Sequence, residues 1–272
     1  MTYFGFLVRF LIIPIFILGV VTIYDYRRGK TINKNLHATP VWLAIVLHMF
    51  IALAYTSLWD NYLVATRVWW YEPDLVTGIT IGYVPIEEYT FFILQPLLAG
   101  LWLLFILRRL SFPEQVTPLK SNNRWIPLGV VAALWLLSIF LLISRRTNFT
   151  YFSLEMVWAL PPIGLQLAFG GDILKRYWKP VLLTILPFTL YLSAMDALAI
   201  YSGTWTINPA KSLDLLIAGI LPIEEFLFFL LTNTLVTFGM VLFLAKESWD
   251  RFGSITKRFK EFRSFKTRSI EK

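Results

Sequence analysis

The sequence predicts an all-α, polytopic membrane protein with about seven transmembrane helices, and three observations lead to this fold class. Hydrophobic residues make up 57% of the 272 residues and charged residues 15%, whereas a soluble domain is about 25% charged. Apolar runs of roughly 20 residues, the length that crosses the hydrocarbon layer as a helix, recur along the whole chain. Lys and Arg also alternate in density from loop to loop. Lipid is therefore the expected solvent of most of the chain.

Each apolar run is assigned to a helix, because a helix satisfies its own backbone hydrogen bonds in lipid. The predicted spans are residues 4–24, 40–58, 85–107, 125–143, 151–169, 180–200 and 222–245. Pro161 and Pro162 lie inside the fifth span, where proline is expected to kink a helix.

The positive charge predicts the orientation. The loops after the first, third and fifth spans and the tail from residue 246 hold 20 Lys and Arg, nine of them in the tail. The opposite side holds four, namely Arg67, Arg145, Arg146 and Lys211. The positive-inside rule then predicts an outer N-terminus and a cytoplasmic tail. The net charge of +8 is thus assigned to a tail that faces anionic lipid, and nucleic acid is not an expected partner.

An ordered set of residues occurs twice. Asp60, Trp69, Pro73, Pro85-Ile86-Glu87-Glu88 and Phe91-Phe92 return as Asp196, Trp205, Pro209, Pro222-Ile223-Glu224-Glu225 and Phe228-Phe229. The spacing from Asp to Trp is nine residues in both copies, and one residue is added before the second Pro-Ile-Glu-Glu. Such self-similarity indicates a duplicated unit.

The duplication predicts a domain organisation. Two three-helix repeats, 1–110 and 149–246, are joined by a linker with one helix, 111–148, and followed by the basic tail 247–272. The extra crossing makes the repeats parallel, related by an axis along the membrane normal. Both glutamate pairs would then face each other across a central site, near the outer ends of their helices.

The four glutamates are the candidate catalytic residues. A carboxylate in the bilayer centre costs about 2.5–3.5 kcal/mol, so Glu87, Glu88, Glu224 and Glu225 are expected to face the interior. At a helix N-terminus the dipole favours the ionised form and apolar surroundings favour the protonated form, so two such pairs can supply an acid and a base. The alternative is that they bond neighbouring helices or lie in headgroup water.

The neighbouring repeated residues are candidates for supporting roles. Asp60 and Asp196 could orient the glutamates, or they could be solvated helix ends. The aromatic faces of Trp69, Trp205, Phe91, Phe92, Phe228 and Phe229 are candidates for stabilising a cation and binding substrate, as alternatives to lipid contacts. Gln95 and Gln166 are expected to form interhelical hydrogen bonds, and Glu155 is expected to do the same, with a role in the site as the alternative. With no Cys and two His, no metal or cofactor site is expected.

These motifs resemble those of the membrane-integral lycopene β-cyclases of archaea, fungi and some bacteria, whose paired units carry a PxEE motif. The resemblance covers the chain except its basic tail. It implies a cofactor-independent isomerisation in which a glutamate protonates the terminal double bond of lycopene, a six-membered ring closes, and a carboxylate removes a proton. The implied products are γ-carotene after one end and β-carotene after both. Other carotenoid-pathway enzymes are possible partners.

The halves are not identical, since Asn208 stands where the first unit has Glu72, and this difference could separate the acid from the base. Two other interpretations are open. A proton-coupled transporter also uses repeats and buried carboxylates, and a related cyclase could act on a longer or hydroxylated carotenoid. The absence of a Gly-x-Gly-x-x-Gly motif argues against a flavin-dependent enzyme.

Overall fold

Helices form nearly all of the computed structural model, which describes residues 1–110 and 124–257. Seven of the described helices are long and apolar enough to cross a membrane, which confirms the predicted all-α polytopic fold. They are α1 (Tyr3–Arg27), α2 (Val41–Ala65), α3 (Ile86–Leu107), α4 (Trp125–Ile143), α5 (Thr150–Arg176), α6 (Trp178–Tyr201) and α7 (Ile223–Leu244). Residues 246–257 are also helical, and the rest of the predicted tail lies outside the described residues.

Two helices are longer than predicted. α2 continues seven residues past the expected end at position 58 and reaches Ala65, because Trp59 and Asp60 are buried between helices instead of marking an interface. α5 continues to Arg176. Its non-helical backbone lies at Gly170 (φ −146°, ψ 25°) and not at the expected Pro161 and Pro162. Gly170 packs against Leu242 so closely that a Cβ there would overlap that side chain.

The two central helices are α3 and α7, which begin with the glutamate pairs. α2 packs against both of them, and so does α6, whereas α1 packs against α3 and α5 packs against α7. α4 packs mainly against α5 at the edge of the bundle. α3 and α7 are joined by a buried hydrogen bond of 2.6 Å from Gln95 Nε2 to Asn233 Oδ1. This arrangement brings the two glutamate-bearing helix starts to the same end of the bundle, here called the motif end.

Short strands cover the motif end. Strand β1 (Trp69–Tyr71) pairs antiparallel with β4 (Trp205–Ile207), so the loops that precede α3 and α7 are joined. Two hairpins, β2 (Thr80–Ile81) with β3 (Val84–Pro85) and β5 (Leu216–Ile217) with β6 (Leu221–Pro222), lead into α3 and α7.

The residue added before the second Pro-Ile-Glu-Glu lies in a hairpin turn. The first hairpin turns through Gly82 and Tyr83, and the second turns through Ala218, Gly219 and Ile220. Gly82 has φ +67° and lies against Asn61, whose Oδ1 accepts the Tyr83 N–H at 2.8 Å. Because the turn absorbs the extra residue, both glutamate pairs occupy the first turn of their helices.

Candidate active site

A cavity lies between the helices at the motif end, directly under the β1–β4 pair. We call it the carboxylate cavity. Ten of the twelve residues singled out from the sequence line it: Asp60, Asp196, Glu88, Glu225, Trp69, Trp205, Phe91, Phe92, Phe228 and Phe229. The helices α2, α3, α6 and α7 therefore each contribute one carboxyl group to the carboxylate cavity.

Glu88 accepts hydrogen bonds from two phenols. Tyr3 of α1 donates a hydrogen bond to Glu88 Oε2, and Tyr71 of β1 donates to the same oxygen at 3.1 Å. Burial raises the pKa of the Tyr71 phenol well above its usual range, and the nearby Asp60 and Glu88 raise it further. Tyr71 therefore stays protonated and acts as a donor. Two O–H donors on one oxygen suit an ionised carboxylate.

Glu225 accepts a hydrogen bond from one phenol. Tyr151, at the start of α5, donates to Glu225 Oε1 at 2.7 Å. Ile207 lies 11 residues after Asp196, as Tyr71 lies 11 residues after Asp60, so an aliphatic side chain replaces the second phenol. Both Tyr71 and Ile207 line the cavity. The two glutamates thus have unequal surroundings.

The two aspartates are buried within their helices. Asp60 and Asp196 are 1% and 2% exposed, which excludes the alternative that they are solvated helix ends. Asp196 Oδ1 accepts the indole N–H of Trp205 at 3.0 Å. Among the described residues, Oδ2 of each aspartate has no hydrogen-bond partner. A buried acceptor without a donor is costly, so the site holds polar groups that packing alone does not explain.

Glu87 and Glu224 lie outside the cavity. Glu87 Oε1 accepts the backbone N–H of Thr77 at 2.6 Å, and Glu224 Oε1 accepts that of Leu213 at 2.6 Å. Each carboxyl group therefore fastens the loop before its own helix. Consecutive residues of a helix point about 100° apart, so Glu87 and Glu224 point away from the cavity that Glu88 and Glu225 line. The expectation that all four carboxylates meet is thus narrowed to Glu88 and Glu225.

Aromatic rings form most of the remaining wall. Trp69 meets Tyr151 edge to face with 5.2 Å between ring centroids, and Phe91 meets Phe229 in the same way at 6.4 Å. Trp59 stacks on Phe228 at 5.8 Å. Ring faces attract cations through their quadrupole, so this wall can stabilise positive charge without a counter-ion.

The sequence prediction missed Tyr3 and Tyr151, although a signal was present. Each tyrosine is followed by Phe and begins the first helix of its predicted unit. This Tyr-Phe pair matches the order of the repeat but lies far from the Glu-Glu motifs. Tyr71 follows Trp69 and Trp70 in the sequence. Its partnership with Glu88 depends on the β1–β4 pairing, which the sequence does not indicate.

Two other differences between the halves involve residues that do not line the carboxylate cavity. Glu72 and Asn208 do not line the cavity, and Asn208 caps a short turn by accepting the Ala210 N–H at 3.1 Å. Glu155 is fully buried in α5 with no hydrogen-bond partner among the described residues, so the expected interhelical bond is not present. Glu155 lies four residues after Tyr151, and the first unit has Leu7 at the corresponding position, four residues after Tyr3.

Comparison with known proteins gives one consistent result. The family model described as lycopene cyclase matches residues 2–106 and 148–244. Lycopene beta-cyclase from Halobacterium salinarum is 35% identical over 85% of this chain and 90% of its own length. The bifunctional lycopene cyclase/phytoene synthases of Sporisorium reilianum and Phycomyces blakesleeanus are each 35% identical, over 79% and 70% of this chain but 31% and 32% of their own lengths. No solved structure matches significantly. The chain therefore belongs to the lycopene cyclase family.

Proposed function

We propose that this chain is a lycopene β-cyclase that closes rings by proton transfer between Glu225 and Glu88. The observation that carries the proposal is the meeting of these two carboxyl groups, from two different helices, in one aromatic cavity. The family and the similarity to a protein named lycopene beta-cyclase support the substrate. A proton-coupled transporter has no comparable support.

The unequal surroundings support an assignment of roles. Glu225 accepts one phenol at Oε1, so its other oxygen is available to carry a proton to the terminal double bond of the polyene. The resulting carbocation is attacked by a neighbouring double bond, and a six-membered ring forms. Glu88, held as a carboxylate by Tyr3 and Tyr71, then removes a proton and leaves a ring double bond. The net change is an isomerisation, which places the enzyme among cyclising isomerases or lyases.

The cavity contributes to the reaction beyond proton transfer. The cation passes through a space lined by Trp69, Phe91 and Phe228, whose ring faces can stabilise it. The β1–β4 cover limits the entry of water, which would otherwise trap the cation as an alcohol. Asp60 and Asp196 are proposed to orient the aromatic rings of the cavity wall, since Asp196 Oδ1 accepts a hydrogen bond from the Trp205 indole.

The proposal includes an orientation and partners. Arg108 and Arg109 form ion pairs with Asp25, at 3.1 and 2.9 Å, at the end of the bundle opposite the motif end. Arg251 forms an ion pair with Asp172 near the same end. This basic end is proposed to face the cytoplasm, which leaves the N-terminus outside. Lipid surrounds the helices. Other carotenoid-pathway enzymes are candidate partners, since several relatives carry a phytoene synthase name on the same chain.

Two substitutions test the proposal in a host that accumulates lycopene. Wild-type protein should convert lycopene to cyclic carotenes, whereas Glu88→Gln and Glu225→Gln should each reduce cyclisation by about a hundredfold or more, the usual effect of losing a general acid or base. Glu87→Gln is the matched control, because its amide oxygen can still accept the Thr77 N–H. Pigments are measured by chromatography, and protein amounts by immunoblot. Normal cyclisation by either Glu88→Gln or Glu225→Gln would refute the assignment.

A further inference from the structure

The carboxylate cavity accommodates the end of a linear polyene but not its whole length, so the rest of the chain needs a second location. Two further cavities adjoin it between α2, α5 and α7. We call these two cavities together the groove. Building on the proposed function, we propose that the groove binds the part of the polyene beyond the end being cyclised. We also propose that its width at His48 and Gly239 controls whether a once-cyclised product can return for a second ring.

The groove adjoins the carboxylate cavity. Thr56, Phe91, Phe92 and Phe228 line both the carboxylate cavity and the first cavity of the groove. His48, Ile51 and Gln166 line both cavities of the groove. Along α7 the groove runs from Phe228 to Leu242, which is about 21 Å of helix at 1.5 Å per residue. Such a length suits an extended chain and exceeds what a compact ligand would need.

The lining of the groove suits a hydrocarbon. Its polar side chains mostly use their donors within the protein: Thr232 Oγ1 donates to the Phe228 carbonyl at 2.7 Å, and Tyr55 Oη donates to the Trp158 carbonyl at 2.8 Å. Gln166 Nε2 donates to the Leu235 carbonyl at 3.0 Å. The groups that remain to face a ligand are mainly aliphatic and aromatic. A chain without hydrogen-bonding groups therefore leaves few donors unpaired on binding.

His48 lies where the two cavities of the groove meet. Gly239 of α7 lies against the imidazole of His48, and a Cβ at this position would overlap the ring, with His48 Cδ2 at 2.9 Å and Gln166 Nε2 at 3.2 Å. His48 is itself held by a 2.7 Å hydrogen bond from Nδ1 to the Ala44 carbonyl. A side chain at Gly239 would therefore displace the imidazole, which lines both cavities of the groove.

The width has a consequence for the second ring. A linear end is slender, whereas a cyclised end is broader, and during the second reaction the first ring must lie in the distal part of the groove. A narrower passage should admit a linear end more readily than a ring. The intermediate with one ring would then accumulate at the expense of the product with two.

The first experiment measures the ratio of γ-carotene to β-carotene in the lycopene-accumulating host. Gly239→Ala should raise this ratio by about tenfold, the effect of overpacking a site by about 1.4 kcal/mol. Adding His48→Ala to Gly239→Ala should restore the ratio, because the imidazole that the new methyl group meets is removed. Gly129→Ala in α4 is the matched control, since a Cβ there meets nothing within 4 Å. An unchanged ratio in Gly239→Ala, or no restoration in the double variant, would overturn the proposal.

A second experiment separates the groove from the chemistry. Lycopene is titrated into purified Glu88→Gln protein in detergent, and binding is followed by quenching of tryptophan fluorescence, with Trp158 and Trp249 in the groove wall. Adding Gly239→Ala should weaken the binding of γ-carotene, titrated in the same way, by about tenfold more than that of lycopene. This measurement does not depend on catalysis. If wild-type protein forms no ring but binding changes as expected, the proposed function fails while the groove is still supported as the polyene site. An equal change for both carotenoids, or no change for either, would refute the groove as the polyene site.

Discussion

At the scale of single residues, the repeated glutamate pairs divide into two roles that the sequence could not separate. The motif predicted that the carboxyl groups face a shared site, and the structure places one carboxyl group of each pair in one cavity. The motif did not show that Glu87 and Glu224 point towards their loops while Glu88 and Glu225 point into the cavity. That division depends on helix phase and on the hairpins before each helix, and the Pro-Ile-Glu-Glu sequence alone fixes neither.

The phenol pair on Glu88 leads to a prediction. Tyr71→Phe removes one of two O–H donors to a charged group, a contribution of about 1.5–3 kcal/mol, so cyclisation should slow by about tenfold to a hundredfold. The rate is measured from pigment formed per unit of protein. Tyr62→Phe is the matched control because Tyr62 is 54% exposed on the outside of α2. Equal rates in both variants would show that Tyr71 does not support the base.

Glu155 leads to a prediction about stability. Its carboxyl group is fully buried and has no hydrogen-bond partner among the described residues. Replacing it with an apolar residue of similar size should relieve about 1–3 kcal/mol, so Glu155→Leu should melt at a higher temperature than wild type. The melting temperature is measured in detergent. A lower melting temperature would indicate that Glu155 has a partner or a proton-binding role that stabilises the fold.

At the scale of elements, the apolar runs predicted the existence of every transmembrane helix but not all of their ends. α4 matches its predicted span of 125–143, because it packs at the edge of the bundle and the membrane decides its length. α2 passes through Asp60 because that residue is buried by tertiary packing. The hairpins β2–β3 and β5–β6 were not predicted, since strands of two residues leave no periodic pattern.

The hairpin loops lead to a prediction about local stability. Glu87→Ala removes the acceptor of the Thr77 N–H, so hydrogen exchange at that amide should accelerate by about tenfold to a hundredfold. Glu87→Gln should keep most of the protection, because the amide oxygen replaces the carboxylate oxygen. Exchange is measured by mass spectrometry of peptides that cover residue 77. Unchanged exchange in Glu87→Ala would show that other contacts hold the loop.

At the scale of the whole molecule, the site is built from both halves of the chain. Glu88, Tyr3 and Tyr71 come from the first predicted unit, and Glu225 and Tyr151 from the second. The contacts of α2 with α7 and of α3 with α6 hold the halves together without the connecting segment. The domain division and the parallel arrangement of the units stay predictions, which a split chain can test.

A chain cut between residues 111 and 123 should therefore keep its activity when both parts are made together. Residues 1–110 alone and residues 124–272 alone should form no cyclic carotene, because each part lacks one of the two glutamates. Activity is measured in the lycopene-accumulating host, and assembly by co-purification through a tag on one part. Cyclisation by a single part would contradict a site shared between the halves.

The pairing of β1 with β4 has a further consequence for how substrate arrives. These strands bridge the two halves over the carboxylate cavity, so a portal towards water would have to break their hydrogen bonds. A molecule dissolved in the leaflet can instead slide sideways between helices, where no backbone pairing has to be disrupted. A carotenoid substrate would then stay in the acyl-chain phase on its way to the proposed acid and base, and its product would return to the same phase.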